Sequence, residues 1–95
     1  MVGHPLNLSG LAGTNQGQPV KVPGTALSVQ SVTERVQFTP QTPQWFLVLE
    51  GELIIDLPYG DFRILKTGDF LRLAADTSAH LEPVAPVILI RAEVS

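Results

Sequence analysis

The 95-residue chain is the size of one domain, and a domain this small buries only about 60–65% of its unfolded surface, so association with a second copy is a natural route to stability. Six Lys and Arg stand singly against nine Asp and Glu, for a net charge of −3, which excludes nucleic-acid binding through a basic patch. Cysteine is absent, which excludes disulfides, thiolate nucleophiles and Cys-ligated zinc, and no apolar run approaches the roughly 18 residues of a membrane span.

Residues 1–24 are rich in Gly, Pro and Asn, with LSGLAGTNQGQP at their centre, a composition that disfavours regular structure. A partly ordered arm is expected here, with Val20-Lys21-Val22 as a short edge strand. Leu6, Leu8 and Leu11 give the arm a means of packing, and docking on a second subunit is the sharper alternative. The opening Met-Val-Gly-His-Pro lacks the basic residue and apolar core of a signal peptide. With no cysteine, a cytoplasmic location is the expectation.

The domain proper is expected over residues 25–95. From Ala26 to Phe38 apolar and polar residues alternate, which predicts one long strand with a phase slip near Ser31-Val32. Thr39-Pro40-Gln41-Thr42-Pro43 breaks it, since two prolines remove two backbone donors. Further strands are predicted at Trp45 to Leu49, Leu53 to Leu57, Phe62 to Leu65 and Phe70 to Leu73. Ala74 to Pro86 reads as a loop in which Val84 belongs to a short strand at most, and Val87 to Val94 closes the set with another apolar strand. No segment shows the periodicity of a long amphipathic helix, so short strands at regular spacing predict an all-β barrel or sandwich.

Glycine-containing turns separate the apolar runs at Glu50-Gly51-Glu52, Pro58-Tyr59-Gly60-Asp61 and Lys66-Thr67-Gly68-Asp69. Gly51 and Gly68 supply the positive φ of tight reversals, and the Asp69 carboxylate is placed to accept backbone N–H groups in its turn.

The run Gln44-Trp45-Phe46-Leu47-Val48-Leu49-Glu50-Gly51-Glu52-Leu53, followed by Gly68-Asp69-Phe70-Leu71-Arg72-Leu73 and then His80, resembles the cupin family. The resemblance implies an all-β, cupin-like jelly-roll barrel of short antiparallel strands, and homodimers often accompany that fold. It also implies a metal centre in many members: a His-x-His pair, a Glu and a later His around one ion. Carried onto this chain, the His-x-His positions are Phe38 and Pro40, and the Glu position is Gln44. The later His aligns with Ala79 or His80, because the preceding loop is about one residue longer than usual. Phe and Pro cannot ligate a metal, and an amide is a poor replacement for a carboxylate. Gln44 and His80 together do not make a tight site. No cofactor is expected, and a divalent metal has no support in the motif.

The expected ligand pocket is Phe38, Pro40, Gln44, Phe46, Val48 and His80, with Gln44, Phe46 and Val48 alternating toward the lumen and Trp45 and Leu47 outward. His80 has two readings, a polar group in the barrel or a partly exposed loop histidine. Outward Trp45 is either ordinary packing or a face covered by another layer or subunit. Glu50, Glu52, Asp56 and Asp61 lie at hairpin ends and read as solvated rather than catalytic, and no serine has a nucleophile-elbow context.

These residues favour a non-catalytic small-molecule-binding or structural barrel that forms a homodimer, with no nucleic-acid or membrane partner. The alternative is a metal-dependent oxygenase, isomerase or sugar-processing enzyme. It requires His80 and Gln44 to be joined by further ligands, for instance His4 or Glu34.

Overall fold

The computed structural model describes residues 7–13 and 17–93. A short helix α1 (Leu8–Ala12) precedes nine strands: β1 (Val20–Lys21), β2 (Ser28–Val32), β3 (Val36–Phe38), β4 (Gln44–Glu50), β5 (Glu52–Asp56), β6 (Phe62–Lys66), β7 (Phe70–Leu73), β8 (Ala79–Pro83) and β9 (Val87–Glu93). A 3-10 turn, Pro58–Gly60, joins β5 to β6.

The strands form two sheets, ordered β1-β2-β9-β4-β7 and β3-β8-β5-β6, with every pairing antiparallel. Alternating residues of both sheets meet in one core that includes Val32, Phe46, Val48, Leu53, Ile55, Leu81, Val87 and Leu89. This is the face-to-face jelly-roll arrangement expected from the alternation, with one side chain in two directed inward.

Three expectations change. The stretch from Ala26 to Phe38 is two strands in different sheets, β2 paired with β9 and β3 paired with β8. The apparent phase slip is not a bulge, because β2 keeps continuous register from Ser28↔Arg91 to Val32↔Val87. It arises because both faces of β2 are covered: Val32 enters the main core, and Val29 packs outside it with Ala12 and Val22. An irregularity does occur between Val48 and Glu50, where β4 meets β9.

The second change is β8, which lies within the segment read as a loop. Pro83 is its last residue, and Pro86 stands just outside β9. Prolines are tolerated at those strand ends because no interior ladder donor is lost.

The third concerns the arm. Residues 8–12 form α1, whose Asn7 cap accepts a hydrogen bond from the Gly10 amide at 3.1 Å. Leu8 and Leu11 of the helix pack with Val29 and Ile88 on the outer face of the first sheet, so the described part of the arm docks on its own domain.

The turns follow the glycine reading. Gly51 has φ +88° and Gly68 φ +89°. Asp69 Oδ2 accepts the Lys66 amide at 2.8 Å, and the Asp69 amide donates to the Lys66 carbonyl at 2.8 Å.

Candidate functional site

Strand alternation brings an arginine into the barrel. In β9, Val87 and Leu89 face the core, and Arg91 continues the same face toward the open end. In β4, Phe46 and Val48 face the core, and Gln44 continues outward from them. In β2, Val32 faces the core, and Gln30 precedes it on that face with only 3% of its surface exposed. Phe38 of β3 packs against the same core from the opposite sheet.

These side chains converge on the guanidinium of Arg91. Its Cζ lies 4.3 Å from the centroid of the Phe38 ring and 5.5 Å from that of Phe46. The two rings meet edge to face at 5.7 Å. One terminal nitrogen donates to Gln30 Oε1 at 2.9 Å, and the other donates to Gln44 Oε1 at 2.9 Å. Gln30 is anchored in turn by donating from Nε2 to the Gly17 carbonyl at 3.0 Å. Burial lowers the proton affinity of Arg91, yet an arginine keeps its charge at neutral pH. Among the described residues, the ion pairs are Arg35 with Asp56 and Glu82, and Arg63 with Asp61. None of them engages Arg91.

A cleft of about 450 Å³ opens beside this group, lined by Lys21, Ser28, Gln44, Arg91, Ala92 and Glu93 together with Pro19 and Ala26.

The residues expected to line a pocket divide. Phe38, Gln44 and Phe46 gather around Arg91. Phe46 and Val48 are fully buried and serve as core. Pro40 is buried, and its carbonyl accepts the Asp76 amide at 2.8 Å.

His80 is corrected. Ala79 and Leu81 enter the core, so alternation turns His80 to the outer face of the second sheet, in register with Gln37 and Asp56. Of the two positions where a late ligand would align, the inward one therefore holds alanine. Glu34 is exposed, and His4 lies outside the described residues. Among the described residues, no three His, Asp or Glu side chains are grouped to hold a metal ion. The groups gathered around Arg91, two amide oxygens and two aromatic rings, do not fit a metal centre.

Arg91 and Gln30 are not among the pocket residues expected from the sequence, although parity carries them: Arg91 shares it with Val87 and Leu89, and Gln30 with Val32. Trp45, as expected, lies on the face opposite Phe46, half-buried, its ring 5.6 Å from that of Phe70.

No protein-family model matches the chain, and no curated protein matches it. Solved structures do. Protein NMB1881 from Neisseria meningitidis superposes with a TM-score of 0.80 at 14% identity, over 97% of this chain and 100% of that one. A cupin-2 domain containing protein from Shewanella frigidimarina gives 0.73 at 15% identity, over 94% of both chains. Hydroquinone 1,2-dioxygenase from Sphingomonas sp. TTNP3, solved with 4-hydroxybenzoate bound, gives 0.79 at 12% identity, over 94% of this chain and 72% of that one. Among the described residues no helix is long and apolar enough to cross a membrane.

Proposed function

We propose that this chain, which has the cupin fold, is a small-molecule-binding barrel whose lumen cation is the Arg91 guanidinium and not a metal ion. One observation carries the reading. Two positions that the family resemblance assigns to metal ligands, Phe38 and Gln44, are among the four side chains that contact the guanidinium. Phe38 offers it a ring face, and Gln44 offers it a carbonyl oxygen.

The electrostatics point the same way. A divalent ion about 5 Å from a fixed guanidinium would be repelled by roughly 6–7 kcal/mol at an effective dielectric of about 20. Gln44 supplies no carboxylate to offset that repulsion. Elemental analysis of protein purified without chelator tests the reading. Fe, Mn, Ni and Zn are each expected far below one per chain, and a stoichiometric metal overturns it.

The proposal includes a homodimer. Its support is the outer face of the first sheet beyond α1, where Leu47 pairs in register with both Phe70 and Ile90, and Trp45 lies against Phe70. Phe70 is 60% exposed in the single chain. Sedimentation of the native chain should give a dimer and that of Phe70→Asp a monomer; a native monomer at high concentration removes this part. A cytoplasmic location completes the proposal, supported by the cysteine-free sequence and tested by cell fractionation.

A further inference from the structure

We infer that the cleft beside Arg91 binds a small monocarboxylate, with the anion held between Arg91 and Lys21. This rests on the binding-barrel reading and names the ligand class of that site.

Strand pairing sets the geometry. Lys21 is in register with Ser28, and Ser28 is in register with Arg91, so the three form one row across β1, β2 and β9. Val20 packs outside with α1, so alternation turns Lys21 to the inner face that Arg91 shares. Neighbouring strands lie about 4.8 Å apart. The two long cationic side chains therefore reach a common point above Ser28, whose short hydroxyl leaves room and adds a donor.

Arg91 has capacity to spare. A guanidinium carries five N–H donors. Its two hydrogen bonds to side chains go to Gln30 and Gln44, both neutral. Those bonds and the Phe38 ring fix the plane of the fork without neutralising it. A half-buried cation that makes no ion pair among the described residues lacks the compensation that buried charge ordinarily finds in protein, and a carboxylate ligand supplies it in the two-pronged geometry that arginine favours.

Charge selects the valence. Glu93 shares the inner face of β9 and lines the same cleft, so Lys21, Arg91 and Glu93 sum to one positive charge. One monoanion balances that sum, whereas a phosphate dianion meets repulsion from Glu93. Pro19, Ala26 and Ala92 offer apolar wall to the rest of the ligand, and a volume of about 450 Å³ falls within the roughly 300–1,000 Å³ of small-molecule sites.

The test titrates the full chain with benzoate, benzamide and inorganic phosphate, followed by amide-resolved NMR. Benzoate is expected to shift the Lys21, Ser28, Gln44 and Ala92 amides saturably, with benzamide and phosphate at least about ten-fold weaker. Lys21→Gln, a change at an exposed position, is expected to weaken benzoate about ten-fold while the rest of the spectrum stays in place. Equal binding of benzamide overturns the carboxylate inference and leaves the binding barrel standing. Preference for phosphate, shifts confined to another surface, or no saturable binding of any probe also overturn the inference. The binding-barrel reading falls separately, on a stoichiometric metal.

Discussion

Gln44→Glu restores the carboxylate that a metal-binding barrel would carry, and the structure predicts that it makes an ion pair instead. Gln44 Oε1 already lies 2.9 Å from a terminal nitrogen of Arg91. A carboxylate there would sit about 4 Å, charge to charge, from the guanidinium, an attraction of about 4 kcal/mol at an effective dielectric of about 20. Removing the new charge from water at this half-buried position offsets much of that. The net gain expected is about 1–2 kcal/mol, in line with exchanging a neutral hydrogen bond for a charge-assisted one.

The sign with pH is fixed. The ion pair holds the folded pKa of the introduced carboxylate below its unfolded value of about 4.3. The gain is therefore complete above that value and is lost as the pH falls through the folded pKa, about one unit lower. Urea unfolding of the native chain and the variant at pH 7 and near pH 3 reads the difference directly. A variant no more stable than the native chain at pH 7, or one that takes up a stoichiometric metal, refutes the reasoning.

Three other outcomes follow from particular contacts. Gly51→Ala and Gly68→Ala impose the same left-handed strain of about 1–2 kcal/mol, but a Cβ at Gly51 would stand 2.3 Å from the Pro86 carbonyl oxygen while one at Gly68 meets nothing within 4 Å. Urea unfolding should therefore show the larger loss for Gly51→Ala, by about 2 kcal/mol or more, and equal losses would contradict the packing of that turn. Phe46→Ala should cost about 3–5 kcal/mol by the same assay, since Phe46 is fully buried, and a loss below about 1 kcal/mol would remove it from the core. The Arg63 hydrogen bond holds the Asp61 carboxyl below its ordinary range, so Arg63→Gln should raise the Asp61 titration midpoint seen by NMR, and an unchanged midpoint would show that the contact is absent in solution.

The turns and the alternation of the strands were legible because they depend on local chemistry. Gly51, Gly68 and Asp69 act as their residue types dictate, and β4 through β7 lie where the apolar runs predict, with no end shifted by more than one residue. Sheet membership was not legible. The segment joining β2 to β3 crosses between sheets without breaking the alternation of its neighbours, and only long-range pairing with β9 and β8 reveals the crossing.

The site was half legible. The family resemblance places Phe38, Pro40 and Gln44 where many members carry metal ligands, and that these residue types are poor ligands is read directly from the sequence. His80 was misplaced because Pro83 and Pro86 gave its segment the look of a loop, which hid the parity that turns it outward. Arg91 drew no notice in an apolar closing strand, although charge within such a strand requires a partner or an opening. Its partners, Gln30 and Gln44, stand 61 and 47 residues away in sequence. No local pattern links them.

The central claim is that a guanidinium occupies the lumen where this fold's resemblance places a metal. Cross-peaks between the Arg91 side-chain N–H protons and the Phe38 ring protons in a nuclear Overhauser spectrum test it most directly. The account predicts such cross-peaks, with Arg91 N–H protons that exchange more slowly than those of exposed Arg72. An Arg91 side chain that shows no contact with Phe38 and exchanges as fast as Arg72 contradicts it.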